Sequence, residues 1–148
     1  MSKEAHLRQV DGITFVARAN SNHWVVMDGS SEFGGSLAGS TPKELVLMAL
    51  AGCTASDVIP ILRKKRVALE KFEIHVRANE RDEHPRIFTD IHVEYVFHGN
   101  NLNTTDLERA IELSTTKYCS VSAILRASAT LTHSYRVEST DPRSSSST

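Results

Sequence analysis

The sequence predicts an α+β fold, on three observations. Its β-type runs come in groups, three at the start and two past the middle, and do not alternate strictly with helices; this excludes a doubly wound parallel sheet. One long apolar stretch, Leu45 to Leu62, separates the groups and carries helix start and stop signals. At 148 residues the chain is about one domain long, and a chain of that size buries roughly 70% of its unfolded surface, enough for an independent core. The expected order is an N-terminal β-meander, a long buried central helix, a β-hairpin, two further helices and a C-terminal strand. Residues 1–138 are read as a single domain, and 139–148, "STDPRSSSST", as a disordered C-terminal tail.

The meander rests on His6–Val10, on Ile13–Ala17 after the turn signal Asp11-Gly12, and on His23–Met27 after "NSN". Residues 28–41, "DGSSEFGGSLAGST", have the Gly/Ser content of a mobile surface loop. The central helix follows at once. Ser40 or Thr41 suits its N-cap, Pro42 its first position, and Glu44 its first turn, where the macrodipole favours negative charge. The helix is expected to run to about Arg66, with Pro60 bending it, and "RKKR" at 63–66 reads as a solvated, dipole-compensating end. Phe72–Ala78 and Ile87–Phe97, joined by a charged turn, form the hairpin. A capping-box pattern, Thr105 to Glu108, opens a helix whose Leu107, Ala110, Ile111 and Ser114 share one face up to about Tyr118. "SVSAILRAS" is a short helix and "ATLTHSYRVE" the last strand.

Composition removes several function classes. With 17 basic against 18 acidic residues, the chain has no field to recruit nucleic acid or an anionic membrane. Asp57, Pro60 and several hydroxyls interrupt the apolar stretch, so it reads as a core helix and not as a membrane span. Two cysteines and an N-terminus, "MSKEAHLRQV", without the apolar core of a secretory signal point to a reducing cytoplasm. His75, His92 and His98 show no compact ligand spacing, and neither a metal nor another cofactor is expected.

The chemistry therefore falls to the cysteines. Leu45, Met48, Ala49, Gly52, Cys53 and Ser56 line one face of the central helix, while Val46, Leu47, Leu50, Ala51, Val58 and Leu62 make the other sides apolar too. Such a helix needs cover all round, as when it is shared across a dimer. Cys53 is either a small core residue or a reactive thiol. The small neighbours Ala51, Gly52, Thr54 and Ala55 leave space beside its sulfur that a substrate can use. Cys119 falls at a helix–helix junction, where free backbone N–H groups stabilise a thiolate, with Lys117 close by. Spacing along the chain does not decide whether the two sulfurs meet.

Three stretches, "STPKELVLMALAGCTASDV", "DEHPRIFTDIHVEYVFHG" and "STTKYCSVSAIL", resemble the osmotically inducible protein C and organic hydroperoxide resistance (OsmC/Ohr) family, with "HPRIFT" pointing to its OsmC-like branch. The resemblance covers nearly all of residues 10–137. It implies an intertwined α+β homodimer whose central helices pack together with active sites at the subunit interface. It also implies that Cys53 is the peroxidatic cysteine and Cys119 the resolving one, joined in a disulfide after the reaction. The activity so implied is cofactor-free reduction of organic or fatty-acid hydroperoxides, with an external dithiol such as a lipoylated protein as reductant. Two departures from the family pattern concern thiol activation. The family's glutamate stands ten residues before the cysteine, a position held here by Lys43, and Glu44, one place on, is rotated by roughly 100° about the helix. The family's arginine belongs to an N-terminal β-turn, near which Arg8 is the candidate and Arg18 a weaker one; Glu32 in the Gly/Ser loop is a substitute carboxylate. Two other functions fit these departures: a non-enzymatic binding protein for an apolar ligand at the dimer interface, and a redox-sensing thiol protein.

Overall fold

A computed structural model describes residues 1–141. Residues 142–148 lie outside the described residues, and with them most of the expected tail; Ser139 inside it donates from its hydroxyl to Asn100 Oδ1 at 2.7 Å. The chain divides into two compact units, residues 1–46 and the chain from Leu47 onward.

The first unit is the expected meander: β1 (Ala5–Asp11), β2 (Thr14–Ala19) and β3 (Val25–Met27) pair antiparallel in that order. Gly12, at φ 51°, makes the first turn, a backbone state that a side chain disfavours. The Gly/Ser segment differs from expectation, because it is organised by one carboxylate. Asp28 is buried and accepts hydrogen bonds from Gly29 N (2.7 Å), Ser36 N (3.3 Å), Ala38 N (3.1 Å), Thr14 Oγ1 (2.8 Å) and Ser36 Oγ (2.8 Å). With so many donors on the ionised form, the Asp28 carboxyl is held well below the usual carboxylate range. Gly35 is required here, since a Cβ would collide with the Gly29 carbonyl.

α1 (Pro42–Lys64) opens with a capping box: Thr41 N donates to Glu44 Oε2 at 2.7 Å and Glu44 N to Thr41 Oγ1 at 3.3 Å. Of the two proposed caps, Thr41 is therefore the one used. The helix ends two residues short of the expected Arg66, which adopts φ 57°.

The second unit holds the core. β4 (Lys71–Glu80) and β5 (Phe88–His98) form the expected hairpin, with Ile74 opposite Tyr95 and Val76 opposite Val93. β6 (Thr130–Glu138) pairs with β5 in parallel, a topology that requires a crossover. α2 (Thr104–Leu113), a π turn (Ser114–Tyr118) and α3 (Ser120–Leu125) supply it. The N-cap of α2 is Asn103, whose side chain accepts from Thr105 N and Asp106 N; the expected box at Thr105 starts two residues late. Alternation turns Ile91, Val93, Tyr95 and Phe97 of β5 inward, where they meet Leu50, Val58 and Leu62 of α1 and Leu107, Ala110 and Ile111 of α2. Burying each of the large side chains stabilises the fold by about 1.5–3 kcal/mol.

α1 is buried along one stripe only, Leu50, Thr54, Val58 and Leu62, each four residues from the last. Its most apolar 18 residues have a mean hydropathy of 2.0, and only 22% of them are buried within the chain; Met48 is 57% exposed. One chain alone does not provide the all-round cover that the sequence calls for.

Candidate functional site

The site begins with the turn into α3. Cys119 is its N-cap, in extended geometry (φ −71°, ψ 100°), so its side chain faces the unpaired N–H groups of the first helical turn. Cys119 Sγ accepts from Ser122 N at 3.4 Å. Thr54 of α1 reaches the same sulfur through its hydroxyl at 3.5 Å. The residue next to Thr54 is Cys53, so the two cysteines are gathered in one place. Both are free. The structure thus brings together the two cysteines that chain spacing could not.

The π turn sets this contact. Its wider winding lets Cys119 N donate to Ser114 O at 2.9 Å and turns the buried Ser114 hydroxyl toward α1, where it donates to Asp57 Oδ2 at 2.9 Å. Asp57 stands one helical turn beyond Cys53 on the same side of α1.

The two sulfurs differ in setting. Cys119 is 4% exposed and Cys53 half-buried. Burial pushes the Cys119 thiol up, but hydrogen bonds from Ser122, Thr54 and Cys53 outweigh it and hold the group below the ordinary thiol range. Burial pushes the Cys53 thiol up, and the neighbouring Cys119 and Asp57 charges add to it, against a single lowering contact from the Val121 N–H. Burial also drives the Tyr95 phenol well above its usual value. Beside this network is a recess of about 20 Å³, room for a water molecule, lined among others by Thr54, Tyr95, Ser122, Arg126 and His133.

The other candidates lie in the first unit. Glu44 is engaged in the capping box described above. Arg8 stacks on Trp24 with its guanidinium 5.6 Å from the ring centre, and Arg18 does the same at 4.9 Å while donating to Asn22 Oδ1. Glu32 is exposed on the 3-10 turn Ser31–Phe33. Lys117 lies over the Tyr118 ring at 5.2 Å. Among the described residues, no cluster of three or more His, Cys, Asp or Glu is arranged to hold a metal; His92 bonds Thr132 Oγ1 and Ser134 Oγ, each at 2.7 Å. Sequence reasoning overlooked Thr54, Asp57, Ser114 and Ser122. The signal for two of them was present: Asp57 is four residues after one cysteine, and Ser122 three after the other.

The chain matches the family model described as OsmC-like protein over residues 33–134. Protein YhfA of Escherichia coli (strain K12) is 40% identical over 134 residues, which cover 90% of this chain and 97% of that protein. The crystal structure of a hypothetical protein from Aquifex aeolicus VF5 is 31% identical, with a TM-score of 0.83 over 95% of this chain and 99% of that one. An organic hydroperoxide resistance protein OsmC from Legionella pneumophila shares the fold, with a TM-score of 0.69 at 15% identity over 93% of this chain and 98% of that one.

Proposed function

Because the chain belongs to the OsmC family, we propose that it is a thiol-dependent peroxidase reducing organic hydroperoxides, with Cys53 as the attacking sulfur and Cys119 as the resolving one. The observation that carries the reading is the gathering of the two free cysteines, Cys53 standing next to the Thr54 whose hydroxyl lies 3.5 Å from Cys119 Sγ. Cys53 is the more accessible of the two sulfurs.

The Cys53 thiolate attacks the terminal peroxide oxygen; the S–O bond forms, the O–O bond breaks, and the alkoxide takes a proton and leaves as alcohol. Cys53 is now a sulfenic acid. Cys119 then attacks the Cys53 sulfur, the S–S bond forms, and hydroxide leaves to be protonated to water. An external dithiol, such as that of a lipoylated protein, restores both thiols through a mixed disulfide. An alkyl chain on the peroxide gains about 0.8 kcal/mol per CH₂ that it buries, which favours organic over hydrogen peroxide.

A second copy of the chain is the proposed cover for the apolar surface of α1, since Asp57 and Pro60 within it suit a protein partner better than lipid. A reducing cytoplasm is the compartment in which both thiols would stay available. Peroxide consumption with a dithiol reductant tests the reading. Turnover of cumene hydroperoxide by the wild type and none by Cys53→Ser is the expected result; full activity in Cys53→Ser refutes it. Ligand binding without turnover in the wild type would instead favour the binding-protein function.

A further inference from the structure

The N-terminal sheet has two unlike faces. Alternation places Leu7, Phe15, Ala17, Val25 and Met27 on one of them, an apolar face that calls for protein cover. The other face carries cations. Arg18 stands opposite His6, and Arg8 opposite Val16, which is itself paired with Val26 on β3. Both guanidiniums lie over the Trp24 ring, Arg8 at 5.6 Å and Arg18 at 4.9 Å, and the indole is still 46% exposed. We propose that this face, centred on Trp24, is a docking surface for an acidic segment of a protein partner, which sets an apolar side chain on the indole and the two valines and its carboxylates on the arginines.

The arginines select for carboxylates. Among the described residues neither has an acidic partner: Arg18 donates to Asn22 Oδ1, and the nearby Glu4 pairs with His6 at 4.0 Å. A guanidinium over an aromatic face keeps N–H donors at its edge, in the fork that grips a carboxylate with two parallel hydrogen bonds. The shared ring also holds two long side chains side by side, so less rotamer freedom is lost when a ligand binds.

The rest of the face narrows the choice of partner. Two arginines are few for a nucleic acid, whose affinity grows with the number of phosphates neutralised, and the chain as a whole is not basic. Trp24, Val16 and Val26 add an apolar seat that a bare anion does not use, whereas an acidic segment with one apolar residue matches both parts. Tryptophan and arginine are also the residue types that most often dominate the energetics of protein interfaces. Cover laid on the opposite, apolar face leaves this one in water.

Trp24 is the only tryptophan of the chain, so its fluorescence reads the face directly. Reduced, full-length protein is titrated with an acetylated Glu-Glu-Leu-Glu-Glu peptide, with Lys-Lys-Leu-Lys-Lys as the control. The expected result is a saturable change with the acidic peptide alone, weakened at least about tenfold between about 50 and about 500 mM NaCl. Arg8→Gln combined with Arg18→Gln should weaken binding by a similar factor; Arg8→Lys with Arg18→Lys keeps the charges but loses the fork, and should still bind several-fold more weakly than the wild type. The absence of a saturable change, equal binding of the basic peptide, or full affinity in a folded double glutamine variant overturns the proposal. An equal response to citrate would make the face a free-anion site, and an equal response to oligothymidylate a nucleic-acid site; either overturns it. Peptide binding that emerges only on dilution of the protein would give the face to a second copy of this chain, and overturns it too.

Discussion

Two buried groups in this molecule are surrounded by hydrogen-bond donors, and they serve different ends. Asp28 in the first unit takes three backbone N–H groups and two hydroxyls; Cys119 in the second takes the Ser122 N–H and has the Thr54 hydroxyl 3.5 Å away. Both are held below their usual pKa by donors that prefer the charged form. A carboxylate so held is ionised at any physiological pH and inert, so its donors fix the path of a loop. A thiol so held is moved toward neutral pH and stands beside a second sulfur, so the same arrangement yields a nucleophile. What separates structure from reactivity is the identity of the acceptor and its one reactive neighbour.

That comparison is broken most severely at the second sulfur. Cys53→Ser should reduce hydroperoxide turnover to background, and Cys119→Ser should leave single-turnover sulfenate formation, detectable with dimedone, but no disulfide. Neither change should disturb the Asp28 loop. Next in size is Asp28→Ala, which strands the five donors and should lower the melting temperature by several degrees. The sign of its pH dependence follows from the depressed carboxyl. In the wild type, Asp28 stabilises the fold above the unfolded value of about 3.9, and that contribution fades as pH falls through and below it. The acid limb of a melting-temperature profile should therefore be shallower in Asp28→Ala.

The comparison is sharpened at Thr54, which donates to Cys119 from a fully buried position. Thr54→Val keeps the shape and removes the hydroxyl, so the thiolate midpoint of Cys119, read by ultraviolet absorbance in a Cys53→Ser background, should rise by about one pH unit. The smallest effect is expected at Glu44→Gln. Glutamine preserves the capping box with Thr41, so stability should change by less than about 1 kcal/mol in a denaturant titration, and peroxide turnover should stay within about twofold. A loss beyond about tenfold would assign Glu44 a part in activating the thiol.

Much of this fold was legible because its signals are local. The Asp11-Gly12 turn, Pro42 behind a threonine cap, and the alternation from Ile91 to Phe97 each specify an element from its own residues. What escaped depends on contacts between distant segments. The parallel pairing of β6 with β5 is decided by the crossover and not by the strand's own pattern, and the π turn is tied to an Asp57 that the helix pattern presented as an interruption. Asp28 shows the same limit from the other side: "DGSS" reads as a turn, and only burial reveals that its carboxylate holds the whole loop. At the site, the cysteines were identifiable by residue type and family resemblance. Their gathering around Thr54 needed the fold.

The most direct test is chemical. Reduced protein is treated with one equivalent of cumene hydroperoxide, and its intact mass and free thiols are then measured, with peptide mapping of any bridge. Rapid loss of both thiols, a mass lower by two hydrogens, and a Cys53–Cys119 peptide are the predicted result. Two thiols still free after prolonged exposure would contradict the account.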